Sequence, residues 1–209
     1  MRSQADSKPL GPVTLAGSHV RLEPLRAEHI DGLLAAARSD GIWARLPRNL
    51  QSRGAMETFI AEAVEAEEAR TEFPFAVIRG PDDRIVGSTR FMDIDADSKG
   101  TEVGWTWYAE EAWATVINPA AKLLLLTHAF ETWGAIRVYF KTDELNTRSR
   151  AAILKLGAKY EGTLRNHRIR QDGSYRHSPV YSVIESEWPL VKQGLTERIT
   201  AFERKGTGG

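Results

Sequence analysis

The sequence predicts one α/β (α+β) domain, a mixed β-sheet flanked by helices. Three observations predict it. The apolar pattern alternates between the two-residue period of a strand and the 3.6-residue period of a helix along the chain. A strongly apolar helical stretch, Ala120 to Trp133, stands between two strand patterns, the order of a parallel crossover. Asp172-Gly173 separates two long strand patterns and reads as a hairpin turn. No linker splits the chain, so residues 13–204 form the domain. Flexible tails are expected at 1–12 and 205–209.

The elements follow in order. Val20-Arg-Leu-Glu-Pro-Leu alternates as a half-buried strand. Ala27 to about Ser39 repeats Ile30, Leu33, Leu34 and Ala37 at helical spacing. A second helix, Ser52 to about Arg70, carries Met56, Phe59, Ile60, Ala63 and Val64 on one stripe. The acids at its far end, Glu62, Glu65, Glu67 and Glu68, read as a solvated face. Phe73–Arg79 and Arg84–Ile94 form a hairpin around Gly80-Pro-Asp-Asp. Thr101–Tyr108 is a third strand, placing Glu102, Gly104, Thr106 and Tyr108 on one face and Val103, Trp105 and Trp107 on the other. Asn118-Pro119 reads as the cap and first residue of the apolar helix, which stops at Gly134. Ile136–Thr142 is a strand, Asn146 caps a helix over Ser149 to Leu156, and Lys159–Arg170 and Tyr175–Ile184 form the last hairpin. The helix after Glu187 carries Leu190, Val191, Leu195, Ile199 and Phe202.

Composition narrows the chemistry. The 209 residues hold 28 basic and 28 acidic side chains and no cysteine. A disulfide scaffold, a thiolate metal site and a cysteine nucleophile are excluded. The absence of cysteine fits a cytoplasmic protein. The polar start has no signal-peptide pattern, and no apolar stretch is long enough to span a membrane. The zero net charge is uneven. Ala135 to Ser178 holds ten bases against four acids, net +6, which is either a solvated face or a site for a multiply charged anion. The window lacks the basic and aromatic interleaving of a nucleic-acid module, so no nucleic-acid partner is expected. No His/Asp spacing suits a metal, and His128 in the apolar helix reads as a satisfied core histidine.

The joint before the apolar helix matters most. A helix N-terminus presents free amides and a partial positive charge, which together suit an anion. The loop Trp113-Ala-Thr-Val-Ile-Asn leads from a strand into such a helix, and its amides could cradle a pyrophosphate. It also reads as an ordinary strand-to-helix turn. It contains no glycine and matches neither common dinucleotide nor triphosphate fingerprint.

Around this joint lie Glu102-Val-Gly-Trp-Thr-Trp-Tyr, Lys122-Leu-Leu-Leu-Leu-Thr-His-Ala-Phe-Glu, Lys141-Thr-Asp, Asn146-Thr-Arg-Ser, Leu156-Gly-Ala and Glu161-Gly-Thr-Leu-Arg. This arrangement, over about Leu15 to Ile199, resembles the GNAT acyltransferase superfamily. Within it, the sequence looks like the branch named after ribosomal-protein N-terminal acetyltransferases (RimJ/RimL-like). The resemblance implies a splayed sheet with acetyl-CoA in the V between Glu102–Tyr108 and Arg137–Thr142. The pantetheine arm would pair with backbone near Trp105, Trp107 and Tyr108. The pyrophosphate would rest on the amides of Trp113, Ala114, Thr115, Val116, Ile117 and Asn118. Asn146 and Ser149 match the family's Asn-x-x-Ser beside the pantetheine and thiol. Members of the branch often form homodimers. Ala114 and Val116 stand where many members carry glycine, and Val116 could narrow the approach of phosphate.

The implied reaction moves an acetyl group from acetyl-CoA to an amine, a protein N-terminus or a small molecule. An amine proton must be accepted, an oxyanion stabilised, and a departing thiolate protonated. Glu102 is the first candidate base, His167 the second, and Ser149 the candidate acid. Each also has a plain reading: a strand glutamate, a half-exposed strand histidine, and a helix-start serine serving the backbone. Trp43, Trp105 and Trp107 are expected to line the acceptor pocket, shaped by Trp43–Asn49 and the Asp172–Gly173 hairpin. A CoA-binding sensor that has lost catalysis is the competing expectation.

Overall fold

Eight strands form one open mixed sheet in the order β1-β2-β3-β4-β5-β6-β8-β7 in the computed structural model, which describes residues 8–206. The strands are β1 (Leu15–Ala16), β2 (Val20–Pro24), β3 (Phe73–Arg79), β4 (Ile85–Asp95), β5 (Gly100–Tyr108), β6 (Arg137–Lys141), β7 (Lys159–Ile169) and β8 (Tyr175–Ile184). The helices are α1 (Ile30–Ala36), α2 (Asp40–Trp43), α3 (Arg53–Glu68), α4 (Ile117–Thr127), α5 (Thr147–Leu156) and α6 (Trp188–Gly206). Only β5 and β6 pair in parallel, as the apolar crossover helix predicts.

The sheet separates two cores. On one side α4 and α6 cover Val77, Phe91, Val138 and Val183. On the other, α1, α2 and α3 pack Leu33, Trp43 and Phe59 over Ala76 and Trp107. Alternation along each strand divides the apolar side chains between the two. Of the expected N-terminal tail, residues 1–7 lie outside the described residues, while Leu10 is buried in the first core and the Lys8 amide donates to Thr132 O. At the other end, α6 runs on to Gly206, and residues 207–209 lie outside the description.

Several local expectations are corrected. The faces of β5 do not simply alternate. Its pairing with β4 shifts between Ser88–Trp107 and Arg90–Gly104, so Trp105 and Thr106 face Thr89 alone. Trp105 takes a φ of +47°; Trp105 and Trp107 share the α1–α3 side and Thr106 and Tyr108 the α4 side as expected, but across the bulge Val103 joins the α4-side core and parts from the tryptophans. Helix α4 starts at Ile117, before Asn118; its first amide donates to Thr115 Oγ1, so Asn118 is not its cap. Past Thr127 the helix widens into a π turn, His128–Trp133, and ends at Gly134 with φ +77°. His128 packs at a tilt against Phe91, but its buried Nε2 has no hydrogen-bond partner among the described residues, so it is not a satisfied histidine. Glu67 is buried and pairs with Arg26 at 2.6 Å, so the acidic end of α3 is not wholly solvated. Leu190 faces solvent, whereas Trp188, Val191 and Leu195 anchor α6.

Candidate active site

The site grows from a parting of strands. β5 and β6 share three rungs, Gly100–Arg137, Thr101–Val138 and Glu102–Tyr139. Beyond these β5 continues to Tyr108 with no partner on its inner side. The result is a V with Glu102 at its apex. A strand edge presents unpaired N–H and C=O groups, and an extended ligand can pair with them. Trp105, Trp107 and Tyr108 lie on this edge.

At the open end stands the loop into α4. Thr115 Oγ1 donates to Ala112 O at 2.7 Å while accepting from the Ile117 amide at 3.3 Å. Among the described residues, the amides of Ala114, Thr115 and Val116 make no hydrogen bond. They sit at a helix N-terminus and can accept an anion. Ala114 has φ +57°, which explains why glycine suits that position. Val116 has φ −68° and ψ −17°, ordinary helical values that demand no glycine. The Trp113 indole donates to Tyr108 O at 3.0 Å, tying loop to strand, and the Arg148 guanidinium stacks 3.3 Å above its ring centroid. These features fit a long phosphorylated thioester: an extended edge for its arm and free amides for its phosphates.

Glu102 is 5% exposed, and Lys141 Nζ lies 2.9 Å from its Oε2. Burial pushes its carboxyl above the usual range, and Lys141 opposes that shift only in part. Gly104 leaves room for it: a Cβ there would come within 3.1 Å of Glu102 Oε1. His167 on β7 lies 3.0 Å through Nδ1 from Ser178 Oγ. Burial, then Arg168, Lys141 and Arg176, push it below its usual value, which favours the neutral ring. Because Lys141 acts on both, Glu102 and His167 belong to one electrostatic neighbourhood.

Ser149 occupies the first turn of α5. Asn146 Oδ1 accepts from the Ser149 amide at 3.0 Å and so caps the helix. The Ser149 hydroxyl makes no hydrogen bond among the described residues, so the backbone does not claim it. Trp107 and Trp43 pack with ring centroids 5.1 Å apart, and Trp105 packs on Phe59. The α2 end and the β7–β8 hairpin meet, with Gln171 Nε2 donating to Leu46 O at 2.8 Å.

A buried cation and a buried acid were not evident in the sequence as site features. Lys122 sits among apolar residues on α4, yet its Nζ reaches Thr106 Oγ1 at 2.9 Å beneath the V. Burial pushes it down to about 7. Asp143 binds Arg170 through both oxygens, at 2.6 and 2.8 Å. Within the described residues no cluster of side chains suits a metal ion, and no helix is long and apolar enough to cross a membrane.

Comparison with known proteins agrees with this geometry. The acetyltransferase (GNAT) domain model matches residues 19–159, and the chain belongs to that family. A GCN5-related N-acetyltransferase from Brucella melitensis is 26% identical over 92% of this chain and 87% of its own, with a TM-score of 0.85. A protein from T. thermophilus classed as an acetyltransferase is 34% identical over 91% and 99%, with a TM-score of 0.81. Mycobacterium smegmatis RimJ in complex with CoA-disulfide is 19% identical over 90% and 95%, with a TM-score of 0.78, a likeness of fold alone. No curated protein sequence matches the chain.

Proposed function

We propose that this protein transfers an acetyl group from acetyl-CoA directly to a primary amine, in the manner of the RimJ/RimL-like branch. The observation that carries the reading is the V itself. A strand edge runs unpaired from Glu102 to Tyr108 and ends beside the free amides of Ala114, Thr115 and Val116. In this reading the edge at Trp105–Tyr108 aligns the pantetheine arm, and the loop Trp113–Asn118 holds the pyrophosphate. Bound there, acetyl-CoA supplies an activated acyl group. Glu102, its carboxyl raised by burial, accepts the amine proton through a water. His167, neutral and held by Ser178, is the second candidate for that proton. The free Ser149 hydroxyl stabilises the departing sulfur, and Asn146 keeps its amide group for the arm. The absence of cysteine leaves direct transfer as the route, and the compartment in this reading is the cytoplasm.

A silent CoA sensor would draw its support from Val116, whose side chain stands where many members carry glycine and could narrow the approach of phosphate. Thiol release from acetyl-CoA across a panel of amines tests the choice. Release with an accepted amine is expected, and Glu102→Gln should lower it by two orders of magnitude or more. CoA binding without release for any amine would turn the reading toward the sensor. Unchanged rates in both Glu102→Gln and Ser149→Ala would remove the assigned roles.

A further inference from the structure

A pocket opens between the end of α2 and the β7–β8 hairpin. Its volume is about 170 Å³, lined in part by Trp43, Pro47, Asp143 and Gln171. Drug-sized ligands occupy roughly 300–1,000 Å³. This pocket takes one small group.

Its charge is unusual. Arg45, Arg168, Arg170 and Arg176 all line it. Asp143 is committed to Arg170. The other acid, Asp172, accepts from the Ser174 amide and hydroxyl within its own turn. None of Arg45, Arg168 and Arg176 has a carboxylate within ion-pair distance among the described residues, and Arg176 bonds only Ser178 Oγ at 3.0 Å. Arg168 and Arg176 are moreover direct cross-strand partners. Like charges facing each other across two strands destabilise a hairpin. Burial lowers Arg176 further. Among the described residues no carboxylate sits at ion-pair distance from either arginine, as acids do at Arg48–Glu62 and Arg79–Asp82; Asp143 and Glu102 act on Arg176 only from farther off.

Two of its arginines feel the charge of the proposed base. Arg168 lowers the Glu102 carboxyl, and Glu102 in turn raises Arg176, so the groups lie within electrostatic reach. Ser178 joins the two candidate functions, touching Arg176 on one side and His167 on the other.

We propose that this pocket receives an acceptor amine that also bears a carboxylate, gripped by Arg168 and Arg176 with its amino group toward Glu102. The inference rests on the acyl-transfer reading of the V and names its substrate class. A guanidinium pair suits a carboxylate because its planar forks match two oxygens. The same positive charge favours the neutral form of a nearby amine, the form that attacks. The carboxylate belongs either to a free amino acid or to an acidic side chain near a peptide N-terminus.

Binding of the acetylated product tests this without turnover. N-acetyl amino acids are titrated into the full chain with CoA present, followed by tryptophan fluorescence, beside their carboxamides. N-acetyl-Xaa-Asp-amide peptides are compared with the Asn versions. Carboxylates should bind at least tenfold more tightly than their amides in one of the two series, and the series that binds identifies the source. Arg168→Gln and Arg176→Gln should each remove about tenfold or more of that preference, with Arg176→Lys retaining part of it. Calorimetry with CoA alone should show unchanged cofactor affinity, which also shows that the variants fold. Equal binding of carboxylates and amides, no binding in either series, or an equal loss of CoA affinity in the variants would overturn the proposal. Failure of the acyl-transfer reading would appear separately, as absence of thiol release.

Discussion

The two arms of the sheet, divided where β5 leaves β6, are built on different terms. In the arm from β1 to β5 both faces are covered. All of β3 except Arg79 is buried, and Phe75 is 1% exposed. Three of its arginines are matched, Arg26 on Glu67, Arg48 on Glu62 and Arg90 on Glu72. In the arm beyond β6, β7 is buried at no position, Ile169 is 70% exposed, and Arg168 and Arg176 have no acid. The contrast teaches where the molecule holds its stability and where it keeps reactive surface. A covered arm supplies rigidity to the V, and an open arm supplies charge to whatever enters it.

The comparison can be broken from the stable side first. Phe75→Ala should cost about 3–5 kcal/mol, because a buried aromatic leaves a cavity. Ile169→Ala on the open arm should change stability by less than about 0.5 kcal/mol. Urea unfolding of the pair measures both, and similar costs would dissolve the distinction. Asp143 is a buried anchor of the open arm. Burial pushes its carboxyl up, but Arg170 and the Leu145 amide outweigh it and hold it below the usual range. A lowered carboxyl stabilises the fold above its unfolded value, near pH 3.9, and that contribution fades as pH falls through the folded value. Asp143→Asn should therefore cost up to about 3 kcal/mol at pH 7, with the difference from wild type vanishing in strong acid.

Lys122 sharpens the comparison in the opposite direction, because it places a cost inside the covered region. With its folded value near 7 and an unfolded value near 10.4, the unfolded chain holds more protons between these limits, so stability rises with pH across that window. Lys122→Met should raise stability by about 1–4 kcal/mol at pH 7, and the gain should shrink toward pH 10. A gain independent of pH would assign the effect to packing. The smallest effect belongs to the loop. Ala114→Gly relieves a left-handed alanine and should stabilise by about 1 kcal/mol or less, since glycine also loosens the unfolded chain. A thermal melt measures it.

Much of this was legible in the sequence, and the exceptions share a cause. Periodicity located every long element, because burial on one face dictates the pattern; Tyr175–Ile184 falls where its alternation places it. The Asn146 cap was legible because the residue and the amide it serves are three apart. The bulge at Trp105 was not, since it exists only in the register of β5 against β4. Lys122 was hidden by apolar neighbours on α4, and its threonine partner comes from another strand. The Asp143–Arg170 pair joins residues 27 positions apart. For the site, the residue types around the V could be named in advance. The arginines without acids could not, because whether a charge is matched depends on what folds beside it.

The three rungs between β5 and β6 have a further consequence. An open sheet ordinarily has two borders, here β1 and β7. This one has a third, running through the middle of the molecule along β5. By hydrogen–deuterium exchange, amides facing that inner border should trade their protons quickly despite their central place, and a bound strand-like arm should slow them. The centre of the protein then keeps an exchangeable stretch of backbone until something extended lies down beside it.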